Sequence, residues 1–221
     1  QFALTPADFT LSGTTATVTS VTRYSIGFIV RADGGDLAGL NGDVTLGFSA
    51  TTPTDEFGNV FSNKTPTGAN ETRYTLDNTA PTLVSIVPDS GTVSPTDADT
   101  VSFIFTYSED LDPSSLNVSN GLVTGTTADV TLTPLSASVA RVTLSGGDLV
   151  ELNGTVTVSL NPTNSIADPA GNLLASATPT GTNNNAVVVQ NDVTPPTVAI
   201  TSGATDPVSG AFTATFTFSE D

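Results

Sequence analysis

In 221 residues the chain carries 22 acidic side chains against 5 basic ones and no histidine, a formal charge of −17, and it has no cysteine, methionine or tryptophan. Such a balance excludes a phosphate-tracking nucleic-acid binder, which needs a basic face to displace counterions, and the missing cysteine excludes disulfides, thiolate metal sites and thiol nucleophiles. It suits a cation binder or a protein kept soluble at high copy number, and the length suits two modules of about 100 residues, each with its own core. No run of about 18 apolar residues is present, so no membrane insertion is expected, and the opening residues do not read as a signal peptide.

In chain order, "GGDLAGLNGDVTL" at 34–46, "DEFGN" at 55–59, "TPTG" at 65–68, "TAPT" at 79–82 and "SED" at 108–110 come first. They return as "GGDLVELNGTVTV" at 146–158, "DPAGN" at 168–172, "TPTG" at 178–181, "TPPT" at 194–197 and "SED" at 219–221. Five landmarks in one order, 111 to 115 residues apart, define a repeat of about 112 residues. Between the two copies of "TxPT", period-2 alternation is plain in "TVSFIFTYS", "ARVTLSG" and "GTVTVSLN", with Thr or Ser opposite the apolar residues. The pattern predicts seven strands, at roughly 82–88, 99–108, 115–119, 128–134, 138–145, 154–161 and 185–190. Turn residues punctuate these runs every 8 to 14 residues and no helical stripe interrupts them, so each unit reads as an all-β antiparallel sandwich or barrel. Threonine richness follows, because a β-branched, half-polar side chain suits the wet face of a strand.

The same landmarks carry a resemblance. "TPPTVAITSG" followed by "FTATFTFSED", together with "FALTPADFTLSG", "DEFGN" and "DPAGN", resembles the bacterial Ig-like repeats strung in tandem in large surface proteins and adhesins. The resemblance implies tandem immunoglobulin-like, Greek-key β-sandwiches of seven strands, an extracellular or cell-surface location, and a spacer or fibre role that often uses calcium between modules. Residues 80–193 then form one complete module. Residues 1–79 supply the third to seventh strands of another, and residues 194–221 supply the first two strands of a following one.

In such a sandwich the lead-in to the first strand, the loop after the second and the loop between the sixth and seventh lie at one end. The sequence places Asp77 and Asn78, Glu109 and Asp110, and Asp168 and Asn172 there; the equivalent set at the other junction is Asp192, Glu220, Asp221, Asp55 and Asn59. Converging carboxylates without a basic neighbour repel and raise one another's pKa, and calcium, which takes 6 to 8 oxygens, is their natural partner. The alternative is that D-x-x-G-N is a turn that caps its own amides and needs no ion.

The tail places Val198, Ile200, Phe212, Phe216 and Phe218 at core spacing, and their burial is worth at most about 8 to 15 kcal/mol. In water such a pair of edge strands is prone to aggregate. Two arrangements satisfy it: residues 194–221 of one copy complete residues 1–79 of the next, head to tail, building a filament, or the same contact recurs inside one longer covalent array. Enzymatic function is not expected, since no histidine or cysteine is present to build a nucleophile pair or a His-based zinc site. The acidic residues that could serve a glycosidase are accounted for by the junctions, and no aromatic platform accompanies them. A Lys–Asn isopeptide bond is unavailable to the middle unit, because the only lysine is Lys64. Two roles remain, a calcium-stiffened stalk or filament, or a binding module whose loop end recognises glycan, ice or another cell. Closely matched units without a large insertion favour the first.

Overall fold

The computed structural model describes residues 3–191, 194–204 and 208–220. It is all-β. Fourteen strands appear among those residues, in chain order β1 (Phe9–Ser12), β2 (Thr17–Tyr24), β3 (Gly27–Asp33), β4 (Gly42–Phe48), β5 (Arg73–Leu76), β6 (Leu83–Pro88), β7 (Thr100–Tyr107), β8 (Gly121–Thr124), β9 (Asp129–Ser136), β10 (Val139–Ser145), β11 (Asn153–Leu160), β12 (Ala186–Gln190), β13 (Val198–Ser202) and β14 (Ala214–Phe218).

Strands β6 to β12 form a seven-strand Greek-key sandwich from a four-stranded sheet ordered β6-β7-β10-β9 and a three-stranded sheet ordered β12-β11-β8. Strict alternation makes it so. Val101, Phe103, Phe105 and Tyr107 of β7 and Val142 and Leu144 of β10 turn inward against Val156, Val158, Val187 and Val189 of the opposite sheet, and Leu83 and Ile86 of β6 close the core. One predicted strand is corrected. Residues 115–119 join no sheet: they run from the end of one 3-10 turn, Pro113–Ser115, through Leu116 and Asn117 into a second, Val118–Asn120, and the strand there is β8. Asp112 and Asn117 accept the amides of Ser114 and Ser119 at 2.9 and 3.0 Å, and these local side-chain bonds outcompete a sheet ladder.

The first unit repeats this plan in part. β1 pairs β4 with Leu11 opposite Leu46, as β8 pairs β11 with Val123 opposite Val158. Val44 faces Tyr74 across β4 and β5, as Val156 faces Val187 across β11 and β12. β2 and β3 form a two-stranded sheet that corresponds to β9 and β10, with Val18 opposite Ala32 as Val130 is opposite Leu144, but its irregularity falls after Val18 whereas that of the β9–β10 pair falls beside Val139, so the registers differ by one residue between the ends. β13 and β14 form another two-stranded sheet, with Val198 opposite Phe218 and Ile200 opposite Phe216.

A brace missed by the sequence reading explains why "GGDL" recurs. Asp148 Oδ1 accepts the Thr126 hydroxyl at 2.5 Å and the Thr127 amide at 2.8 Å, and Asp36 accepts the Thr14 hydroxyl and, at 2.9 Å, the Thr15 amide. Each brace ties the turn between two strands of opposite sheets to the connection after β3 or β10. The Thr126 hydroxyl, then the Thr127 amide, hold the Asp148 carboxyl below its ordinary value of 3.8. A depressed carboxylate stabilises the fold above the unfolded pKa, and that contribution is lost as pH falls through the folded one. Asp148→Ala is therefore expected to lower the melting temperature at pH 7 by a few degrees and to shrink the loss of stability below pH 3.8. Melting curves of parent and variant that stay a constant distance apart from pH 7 into acid would contradict it.

Candidate metal centre at the module junction

Three segments deliver carboxylates to one end of the complete sandwich. Asp77 follows β5 and begins the segment leading into β6. Glu109 follows β7, and Asp168 lies within the long connection between β11 and β12. Their placement is local chemistry. The Thr82 amide donates to Ser108 Oγ at 2.9 Å and the Ser108 amide to the Thr82 carbonyl at 3.0 Å, which holds the end of β7, and so Glu109, beside the linker. The Asp112 amide donates to the Ala167 carbonyl at 2.9 Å, which draws the loop after β7 against the residue preceding Asp168.

The D-x-x-G-N loop builds itself. Asp168 accepts the Asn172 amide at 2.9 Å and the Asn172 side-chain amide at 2.8 Å, while Gly171 takes a φ of 92° that favours glycine. Asp55 and Asn59 repeat the arrangement at 2.8 and 2.9 Å, so the two loops are one structure made twice. Asn172 does a second task, donating to the Asp77 carbonyl at 3.0 Å and thereby tying the loop to the linker.

In the result, carboxylate oxygens of Asp77, Glu109 and Asp168 all lie within 4.8 Å of one another. Asp77 is exposed, Glu109 half-buried and Asp168 buried. Burial, then the charges of Asp77 and Asp168, push the Glu109 carboxyl up. Burial also pushes Asp168 up, but the hydrogen bonds from Asn172, Gly171 and Ala170 hold it below the ordinary value. Among the described residues no cationic side chain is paired with this cluster. Arg31 pairs with Asp33, Arg73 with Asp43 and Arg141 with Asp89, Arg23 donates to the Ser25 carbonyl and Lys64 to the Ser49 and Thr51 carbonyls.

The other expected junction residues fall elsewhere. Asn78 turns back to the first unit, its amide donating to Asn41 Oδ1 at 2.6 Å and its side chain to the Leu40 carbonyl at 2.7 Å. Asp110 is exposed and stands outside the carboxylate group. Asp192 and Asp221 lie outside the described residues, and among the described residues Asp55 and Glu220 join no group of three. The side chains expected to serve assembly are all exposed, from 50 % at Val198 to 65 % at Phe212.

An all-oxygen cluster of three carboxylates with a raised member suits a hard divalent cation. The donor set fits calcium and lacks the nitrogen or sulfur ligands that structural zinc takes.

The family model for the bacterial Ig-like domain matches residues 77–183. That segment runs from the first carboxylate of the cluster to just before β12, and so contains six of the seven strands of the complete sandwich. Neither a curated protein nor a solved structure matches the chain.

Proposed function

Residues 77–183 are a bacterial Ig-like domain, a non-catalytic fold that occurs in bacterial surface proteins, and from that premise we propose that the protein is an extracellular structural repeat, a stalk or filament whose modules meet head to tail and are stiffened at their junctions by calcium. The observation that supports it is the meeting of Asp77, Glu109 and Asp168 where the first unit passes into the second. Asp77 belongs to the linker, whereas Glu109 and Asp168 belong to the body of the sandwich. An ion held by all three would fix the angle between the units, because the linker could not swing without leaving the coordination shell. Asn172, through its bond to the Asp77 carbonyl, supports the same orientation. The copied landmarks support a repeat role, since the β1–β4 and β8–β11 pairs keep one register and both units keep the same brace.

Glu109→Gln tests the ion with opposite signs in two buffers. A carboxyl whose folded-state pKa is raised favours folding only while protonated, and its contribution is lost as pH rises through that pKa. In EDTA at pH 7 the glutamine variant is therefore expected to melt higher than the parent, because a mutually repelling charge is gone. In calcium at roughly ten times an extracellular-type Kd the parent gains about 1.4 kcal/mol and becomes stiffer in solution scattering, whereas the variant gains little. Equal gains in parent and variant, or none in either, would overturn the calcium reading.

A further inference from the structure

Three Asn-Gly steps occur in the chain, at Asn41-Gly42, Asn120-Gly121 and Asn153-Gly154. Asn41 and Asn153 hold one position of the repeat, at the start of β4 and of β11, and each is hydrogen-bonded to the asparagine with which the chain leaves its unit, Asn78 or Asn191. Glycine follows Asn41 for a backbone reason, because Gly42 takes a φ of 148° that favours it. A residue without Cβ also leaves its amide nitrogen open to the preceding side chain. That nitrogen can attack the carboxamide carbon of the asparagine, so an Asn-Gly step carries a self-modifying reaction.

The three side chains are held differently, and the differences bear on each stage of that reaction. Attack on Cγ builds negative charge on Oδ1, and at the exposed Asn41 the Asn78 amide already donates to that oxygen at 2.6 Å, as a donor in an oxyanion hole does. The carboxamide nitrogen must then leave. Asn153 Nδ2 is tied to the Asn191 carbonyl at 3.1 Å and Asn120 Nδ2 to the Ser115 carbonyl at 3.1 Å, whereas Asn41 Nδ2 has no acceptor among the described residues. The attacking amide must also lose its proton. Gly42 forms the end pair of the β4–β5 ladder, opposite Leu76, where local opening costs least; Gly154 lies one pair inside the β11–β12 ladder, behind Asn153 and Gln190. Gly121 is likewise in an end pair, but Asn120 before it is 2 % exposed and so closed to hydroxide.

We propose that Asn41 is a self-modification site, at which the chain converts its own asparagine to aspartate and isoaspartate, and that the conversion releases the linker from the first unit. The Gly42 nitrogen, its proton taken by hydroxide, bonds to Asn41 Cγ; the Cγ–Nδ2 bond breaks and ammonia leaves with a proton returned from water, closing a five-membered succinimide. Water then adds to either ring carbonyl and reopens the ring, so the sum is one water consumed and one ammonia released. Opening at Cγ gives aspartate, and opening at the main-chain carbonyl gives isoaspartate, which routes the backbone through one extra carbon. Asn41 stands between two holds on the linker: its Oδ1 takes the Asn78 amide, and the neighbouring Leu40 carbonyl takes Asn78 Nδ2 at 2.7 Å. In isoaspartate the carbonyl that faced the Asn78 amide becomes main chain, and the added carbon shifts Leu40 against β4. Both holds are disturbed together. None of these steps uses the carboxylate cluster, so the calcium reading can fail without touching them.

Peptide mass spectrometry after incubation in mildly alkaline buffer with EDTA follows the mass gain and the isoaspartate at each of the three steps. In the folded chain Asn41 is expected to convert several-fold faster than Asn153, with Asn120 slowest, whereas in denaturant the three rates are expected to converge, because the reacting atoms are the same. Conversion of Asn153 or Asn120 first in the folded chain, or one order of rates in folded and denatured protein, would overturn the assignment of the site. Solution scattering reads the release of the linker. Aged parent is expected to sample a wider range of angles between the units than fresh parent, and Asn41→Gln, whose closure needs a slower six-membered ring, is expected to keep the fresh profile through the same incubation. Aged parent rich in isoaspartate at residue 41 but with the fresh profile, or an equal change in Asn41→Gln, would overturn the release.

Discussion

Replacing Phe105 by alanine is expected to remove about 3 to 5 kcal/mol from the stability of the complete sandwich. The side chain is 2 % exposed and lies between Ile86 on one neighbouring strand and Ala140 on the other, so its removal leaves a cavity that neither small neighbour can fill. For a module of about 100 residues a loss of that size lowers the melting temperature on the order of 20 °C. Phe216 holds the same place in the repeat but is 58 % exposed. Phe216→Ala is therefore expected to leave the central transition where it was. Calorimetry separates the two, and equal shifts of the central transition would mean that the tail packs on the complete module after all.

Gly125→Ala is expected to cost more than about 3 kcal/mol, the upper end of backbone strain alone. Gly125 sits at φ +86°, and an added Cβ would lie 2.0 Å from the carbonyl oxygen of Thr155. The obstacle is backbone, so no side-chain rotation relieves it; the end of β8 would have to leave β11. Gly171 provides the comparison. Its φ is +92° but nothing lies within 4 Å of the added atom, so Gly171→Ala is expected to cost only about 1 to 2 kcal/mol, the penalty of left-handed backbone. Denaturant titration of both variants checks the difference. If the two costs coincide, backbone conformation rather than close approach decides both.

The contrast between Phe105 and Phe216 also marks how much of this fold is legible in a linear reading. Alternation of Val101, Phe103, Phe105 and Tyr107 announces a half-buried strand because a β-strand sends successive side chains to opposite faces. The same alternation in Phe216 and Phe218 announces a strand equally well, but it does not say that a neighbour is present. The third strand of the complete module was misplaced for a related reason: "LNVSNGLVT" contains apolar residues at strand spacing, and the turns that Asp112 and Asn117 impose depend on side-chain bonds that periodicity does not register. The braces of Asp36 and Asp148 had a signal, the recurrence of "GTTA" 112 residues on from 13–16 to 125–128, that becomes meaningful only when "GGDL" is seen beside it.

Sequence alone determined the all-β class, the repeat of about 112 residues, the core-facing side of each principal strand and the acidic character of the junction, because each of these is carried by composition or by periodicity along one segment. Tertiary structure decided which of the junction residues converge. Asp77, Glu109 and Asp168 meet because three hydrogen-bonded connections bring the linker, the end of β7 and the D-x-x-G-N loop to one point, while Asn78, adjacent in sequence to Asp77, is drawn the other way by Asn41 and Leu40. It decided, too, that β3 has one paired edge and β13–β14 no covering sheet among the described residues. Pairing and convergence are relations between segments distant in the chain, set by backbone hydrogen bonds whose donors and acceptors every residue but proline possesses alike, and so they leave little trace in the identity of any one residue.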